Sequence, residues 1–335
     1  MILHLILNSL IVFICLALII EFFLFSMRIK NSRIRYICRS LPFLKIPFDI
    51  SIFLFYGDSL FINLNPLSCE IYVFDLISKL LPTQITQISS TNEHLIIPQY
   101  IAMLIPSFWL DGLTIMVILI AAGGIIRKLC QLFASRKYLE KVLSSSIPFD
   151  GVIINKQLQQ HIENSKAIIL VSPDIEIPCA ADTRYILLPQ NKLSELSREE
   201  LEAVIAHELQ HLKWKDPLLN LLYSLVCSLC WWIPTGWWLK RLIAEQEQAS
   251  DAGIHNYGID NFALATAVTK ILYKAKNIKF NTSAMCFLGS SKSTHVNRIK
   301  YILNAHAVSA SNRYVLSSVL ATILCSISFV SLWMC

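Results

Sequence analysis

Five residues, His207-Glu208-Leu209-Gln210-His211, carry the strongest chemical signal in the sequence. Residues i and i+4 share one face of a helix, so the two imidazoles can offer ring nitrogens to a single metal ion. Glu208 then stands beside the ion without ligating it. From there it can take a proton from a bound water, whose pKa zinc lowers to about 7, and deliver it to a leaving amine. Two histidines and a carboxylate at this spacing form the core of a zinc peptidase site. A two-histidine, one-glutamate donor set makes zinc the expected occupant.

That chemistry needs a helix, and the flanking residues predict one. Ser197-Arg198-Glu199-Glu200 reads as a capping box, with Ser197 as N-cap and Glu200 answering from the third helical position. Leu201, Val204, Ile205 and Leu212 recur at helical spacing, Lys213 and Lys215 suit the negative end of the dipole, and Asp216-Pro217 supplies the stop. A catalytic zinc also needs a third protein ligand and an open fourth position. Glu247 is the best candidate, with Glu245 competing and His255 a distant third. Asp251 lies four residues after Glu247, where it can hydrogen-bond a ligand histidine and fix its orientation.

With these residues in view, a family resemblance emerges. HELQHLKWKD (207–216), an apolar stretch ending CWWIPTGWWLKRL (230–242) and EQASD (247–251) resemble the gluzincin domain of the BlaR/MecR-type antibiotic-sensing signal-transducer metallopeptidases. YILLPQNKLSELSREELEAVIA (185–206) is similar to the strand and loop before their zinc helix, and the likeness covers roughly residues 165–305. It implies that His207, His211 and Glu247 bind zinc, that Glu208 is the general base and that Asp251 orients a ligand. Ser250 stands where many members carry Cys. The sequence ends at Cys335, so no extracellular penicillin-binding sensor domain is expected.

Composition points to a membrane protein with one globular domain. The 335 residues are 55% hydrophobic, with a mean hydropathy of +0.54, which is too apolar for an ordinary soluble chain. Ile2 to Phe25 can cross a bilayer as a retained anchor, since its basic residues follow it rather than precede it. Residues 46–64, interrupted by Asp49 and Asp58, form a weaker second span. A third lies within Ile101 to Ile126 and a last within Tyr314 to Cys335. Segment 27–45 holds Arg28, Lys30, Arg33, Arg35, Arg39 and Lys45 and no acid, whereas 65–100 holds Lys79 against Glu70, Asp75 and Glu93. The positive-inside rule therefore places 27–45 and 127–313 in the cytoplasm. The expected organisation is α+β: a membrane region (1–126), a cytoplasmic gluzincin-like zinc metallopeptidase domain (127–313) and a C-terminal transmembrane helix (314–335).

Pro217 to Leu239 is apolar enough to span, yet a single crossing would leave His211 and Glu247 on opposite sides of the bilayer. The segment must therefore bury against the domain, lie in the interface or re-enter. A break at Pro234 and Gly236, with Trp231, Trp232, Trp237 and Trp238 suited to the interface, favours a helix that dips toward the bilayer and returns. An ordinary core helix is the alternative. Ala167 to Ser172 and Tyr185 to Pro189 read as strands, whose edge could pair with an extended substrate. The ten cysteines form no framework, and Cys227-x-x-Cys230 reads as packing rather than a redox pair. Asp111 within the third span reads equally as a functional intramembrane carboxylate or as a residue at the interface. His295 and Arg298 lie on a helix whose expected place is the surface, although either could reach the site as an electrophilic helper.

The net charge of +6 suits anionic lipid rather than nucleic acid. The expected protein is a multi-pass integral membrane zinc metalloendopeptidase of the bacterial inner membrane, acting in regulatory proteolysis. Its substrate would be a polypeptide, a cytoplasmic repressor or the chain itself, with room for a homodimer. The alternatives are a heat-shock-type quality-control protease and a noncatalytic membrane receptor or scaffold.

Overall fold

The computed structural model describes residues 2–29, 31–47, 107–151, 153–274 and 292–304. Helix α1 (Ile2–Ser26) and helix α2 (residues 32–47) form a hairpin. Helix α3 (Ser107–Ser145) leads into strand β1 (Ile147–Pro148), helix α4 (Lys156–Ser165), and strands β2 (Ile168–Ser172), β3 (Cys179–Ala181) and β4 (Tyr185–Pro189). The short helix α5 (Gln190–Leu193) precedes α6 (Arg198–Lys213), α7 (Asp216–Leu229), α8 (Thr235–Gly253), a 3-10 turn (Ile254–Tyr257), α9 (Asn261–Lys274) and α10 (Lys292–Asn304).

The four-stranded sheet has the order β1-β2-β4-β3. The expected strands at 168–172 and 185–189 are its centre and run parallel, while β3 folds back antiparallel on β4. Both central strands are apolar runs because both faces are covered. Ile186, Leu187 and Leu188 are fully buried, and one core joins the sheet to α4, α6, α9 and α10. The capping box starts α6 where the sequence placed it: Ser197 N donates to Glu200 Oε2 at 2.7 Å, and Glu200 N to Ser197 Oγ at 3.3 Å.

Segment 217–239 turns back, the favoured of the readings its site residues allowed. Helices α7 and α8 break at Cys230–Pro234, where Pro234 lacks a backbone donor and disfavours helix at the residue before it. This second hairpin packs on the first: Tyr223, Val226, Cys230, Ile233 and Trp238 share a core with Phe13, Tyr36 and Phe43. Only two of the four tryptophans face outward, Trp231 and Trp237. Trp238 is buried and donates to the Arg39 carbonyl at 2.8 Å, and Trp232 donates to Ser9 Oγ at 2.9 Å. Cys227 and Cys230 are free thiols, Cys230 within this core.

Helix α3 runs unbroken past residue 126. Among the described residues it alone is long and apolar enough to cross a bilayer, over Ile115–Ser145, with 11% of its most apolar stretch buried. A soluble core helix would be mostly covered. Of the expected span at 46–64 only residues 46 and 47 are described, at the end of α2. The 65–100 loop, the 313/314 boundary and the span at 314–335 lie outside the described residues, as do the side chains of Asp111 and His295.

The basic segment 27–45 also braces the fold. Arg39 is 7% exposed and clasps Glu21 of α1 at 2.8 Å and, on its other side, Glu245 of α8. Arg35 reaches Glu245 at 2.8 Å and Gln248 at 2.9 Å, and Arg33 stacks over Trp214 at 4.1 Å. Three of the six cations are therefore internal braces rather than lipid-facing charge, because carboxylates and an aromatic face inside the fold repay their desolvation.

Candidate metal centre

Helix α6 carries His207 and His211 on its buried face, and α8 brings Glu247 against them. The ring nitrogens His207 Nε2 and His211 Nε2 are 3.1 Å apart. Each lies 3.6 Å from a Glu247 oxygen, His207 from Oε2 and His211 from Oε1. Bonds of about 2.0–2.1 Å to a tetrahedral zinc put neighbouring ligand atoms about 3.3 Å apart. The three donors thus stand close to three corners of such a tetrahedron, and they fit a zinc ion. Glu245, two residues earlier on α8, points the other way into Arg35 and Arg39, and His255 is not among the converging donors.

The opposite nitrogens of both rings face carboxylates. His211 Nδ1 is 2.8 Å from Asp216 Oδ2, and His207 Nδ1 is 3.0 Å from Asp251 Oδ1, within ion-pair reach but off the line of a well-aligned hydrogen bond. Such partners hold the proton on Nδ1 and turn the Nε2 lone pair toward a metal. Burial opposes charge on both imidazoles, but Asp251 and Glu247 outweigh it at His207 and push its pKa up to about 10. Asp216 and Glu247 likewise raise His211. Ser250 lies with Oγ 3.3 Å from His211 Nδ1 and is fully buried.

Arg298 corrects the surface expectation for α10. Its side chain is 14% exposed and grips Asp251 with two donors, Nε to Oδ2 at 3.0 Å and Nη2 to Oδ1 at 2.8 Å, while Nη1 meets Glu247 Oε2 at 3.0 Å. Nη2 is also 3.2 Å from His207 Nε2. Burial disfavours the ionised form of Glu247, yet Arg298 and the imidazoles hold its carboxyl well below the usual range. Asp251 is lowered by the same guanidinium against a complete loss of solvent. Glu208 is buried beside His207, and its charge is felt at His211 and Arg298.

Two positions escaped the sequence. Asp216 counted only as a helix stop, although an acid just before a proline at the start of the next helix can swing back over the last turn of α6. Gln210, an unassigned interior residue of the motif, is 2% exposed and donates through Nε2 to the Gly253 carbonyl at 2.9 Å, joining the two ligand-bearing helices. A Cβ at Gly253 would stand 2.6 Å from Gln210 Cδ, so a larger residue there would push the Gln210 side chain out of this position.

A helix presenting two histidines and a glutamate, completed by a glutamate from a downstream helix with carboxylates behind the rings, is the site architecture of a metallopeptidase. The chain belongs to the BlaR1 peptidase M56 family, whose model matches residues 58–302. It is 30% identical over 179 residues to the regulatory protein BlaR1 of Bacillus licheniformis, covering 50% of this chain and 29% of that protein. It is 24% identical over 253 residues to the methicillin resistance mecR1 protein of Staphylococcus aureus, covering 68% of this chain and 40% of that protein. The chain therefore spans less than half the length of these relatives.

Proposed function

We propose that this protein is an integral membrane zinc endopeptidase acting in signal-dependent regulatory proteolysis. The convergence of His207, His211 and Glu247 from two helices, with a carboxylate behind each ring, carries the reading. Zinc held there would polarise a peptide carbonyl and acidify the attacking water. Glu208 takes the proton of that water and returns it to the departing amine. Asp216 and Asp251 keep the imidazoles aimed, and Arg298, saturated by two carboxylates, positions Glu247 and Asp251. The β3 edge, packed on α6 through its buried residues, is the site's candidate for main-chain pairing with an extended polypeptide.

Membrane residence rests on the exposed apolar α3 and on the apolar outer face of α1, where Leu18 and Phe22 are 64% and 73% exposed. The relatives, a regulatory protein and a methicillin resistance protein of bacteria, support a signalling role in a bacterial cytoplasmic membrane, and a repressor or the chain itself is the substrate we propose. Digestion of fluorescently labelled casein by the detergent-purified, zinc-loaded full chain tests the chemistry. Glu208→Gln should keep its metal and lose about 10²–10⁴-fold in rate. Equal rates in the two proteins would overturn the role of Glu208, and a metal-loaded wild type that cleaves nothing would favour a scaffold.

A further inference from the structure

A cleft of about 540 Å³ lies where α3 crosses α7, and none of the three donor residues lines it. Its polar lining is Arg127, Lys128, Gln131 and Ser224, with no carboxylate among the described residues that line it. Lys128 is the unusual member. It is 6% exposed, and among the described residues no acid pairs with it. A buried ammonium without a counter-charge is costly, so the site is built for an anion that supplies one. Ser228 contributes no donor, since its hydroxyl is spent on the Ser224 carbonyl at 2.9 Å.

The backbone shapes the cleft. A Cβ at Gly124 would meet the Ser228 carbonyl oxygen at 2.7 Å, so α3 and α7 touch backbone to backbone there. A Cβ at Gly123, one residue earlier, meets nothing within 4 Å and faces the open cleft. On the other side the rim is apolar. Ile120 and Trp231 line it at 42% and 44% exposure, and Met116, one helical turn before Ile120 on the same face of α3, is uncovered as well. Positive charge at one end and a bare apolar track at the other match the two ends of one molecule.

We propose that this cleft binds an anionic phospholipid, with its headgroup phosphate between Arg127 and Lys128 and an acyl chain along the Met116–Ile120 face. The site rests on the reading of α3 as a membrane helix. Charge at a bilayer surface attracts anionic lipid with about 1 kcal/mol per cation, or about fivefold in affinity. A bound headgroup would also brace α7, whose first residue, Asp216, holds the ligand His211.

The test titrates the full chain in detergent micelles with dioleoylphosphatidylglycerol and follows the thermal unfolding midpoint. Separate titrations use dioleoylphosphatidylcholine and inorganic phosphate. The phosphatidylglycerol should raise the midpoint, and the other two should not. Lys128→Gln and Arg127→Gln should each weaken the apparent affinity about fivefold, Gly123→Leu should fill the cleft and abolish the effect, and Lys137→Gln, further along α3, should leave it intact. If Gly123→Leu does not fold, the two charge variants decide alone. An equal shift from phosphatidylcholine or phosphate, or charge variants that respond as wild type does, would overturn the proposal. A chain recovered without detergent in the soluble fraction sinks the membrane reading as well, whereas one extracted from membranes that ignores the headgroup sinks only the cleft.

Discussion

His211 Nδ1 stands 2.8 Å from Asp216 Oδ2, although the helix that carries the histidine ends before the aspartate begins the next. Lys215 makes this possible by adopting the left-handed conformation, with φ of 55°, which turns the chain back within one residue. Asp216→Asn should therefore lower zinc affinity about 10–100-fold, the usual penalty for removing a carboxylate behind a ligand histidine. Competition against a chromophoric chelator measures it, and unchanged affinity would remove Asp216 from the site.

The two glutamates of α8 should fail differently. Glu247→Ala removes a ligand and should abolish metal binding with a modest effect on the fold. Glu245→Ala should keep the metal and destabilise the protein by about 3 kcal/mol, because Arg39 is left buried with Glu21 as its remaining partner. Thermal unfolding beside metal analysis separates the two. A Glu245→Ala protein as stable as wild type would show that the braces of α2 contribute nothing.

Proton release should accompany metal binding. With its pKa pushed up to about 10, His207 is protonated in the metal-free protein at neutral pH, and its charge contributes stability that is complete below about 6.5 and fades as pH rises toward 10. Zinc must displace that proton, so zinc affinity should increase with pH by at least about tenfold per unit between pH 6 and 8. Calorimetry in buffers of different ionisation enthalpy counts the protons, and a count of zero would contradict the assigned charge state.

Arg298→Met should leave Asp251 and Glu247 as close buried neighbours that share the His207 and His211 imidazoles as their remaining positive partners. The expected cost is about 3–5 kcal/mol, together with weaker zinc binding as pH falls, because both carboxyls then protonate more readily. Arg298→Lys should recover little of this, since a point charge cannot grip both Asp251 oxygens. Full recovery by lysine would reduce the role of Arg298 to net charge.

Local chemistry made half of this site legible in the sequence. The capping box, the i, i+4 histidines and the i, i+4 pair Glu247 and Asp251 are patterns within one helix, and each falls where its spacing put it. Arg298, Asp216 and the arginines of α2 are different. Asp216 meets its histidine only because the chain reverses at Lys215. The arginines find their partners on other elements, more than 200 residues away for Arg39 and Glu245, and a buried cation looks like a surface cation until its carboxylate is located. The same blindness made Trp238 look interfacial, when its indole was needed to cap the Arg39 carbonyl in the core.

The most direct measurement is zinc content, by elemental analysis, of the detergent-purified full chain beside Glu247→Ala and Glu245→Ala. The expected result is one zinc per chain in the wild type and in Glu245→Ala and none in Glu247→Ala. Zinc retained in Glu247→Ala would break the ligand triangle, and a wild type that takes up no zinc even after loading would contradict the metallopeptidase account itself.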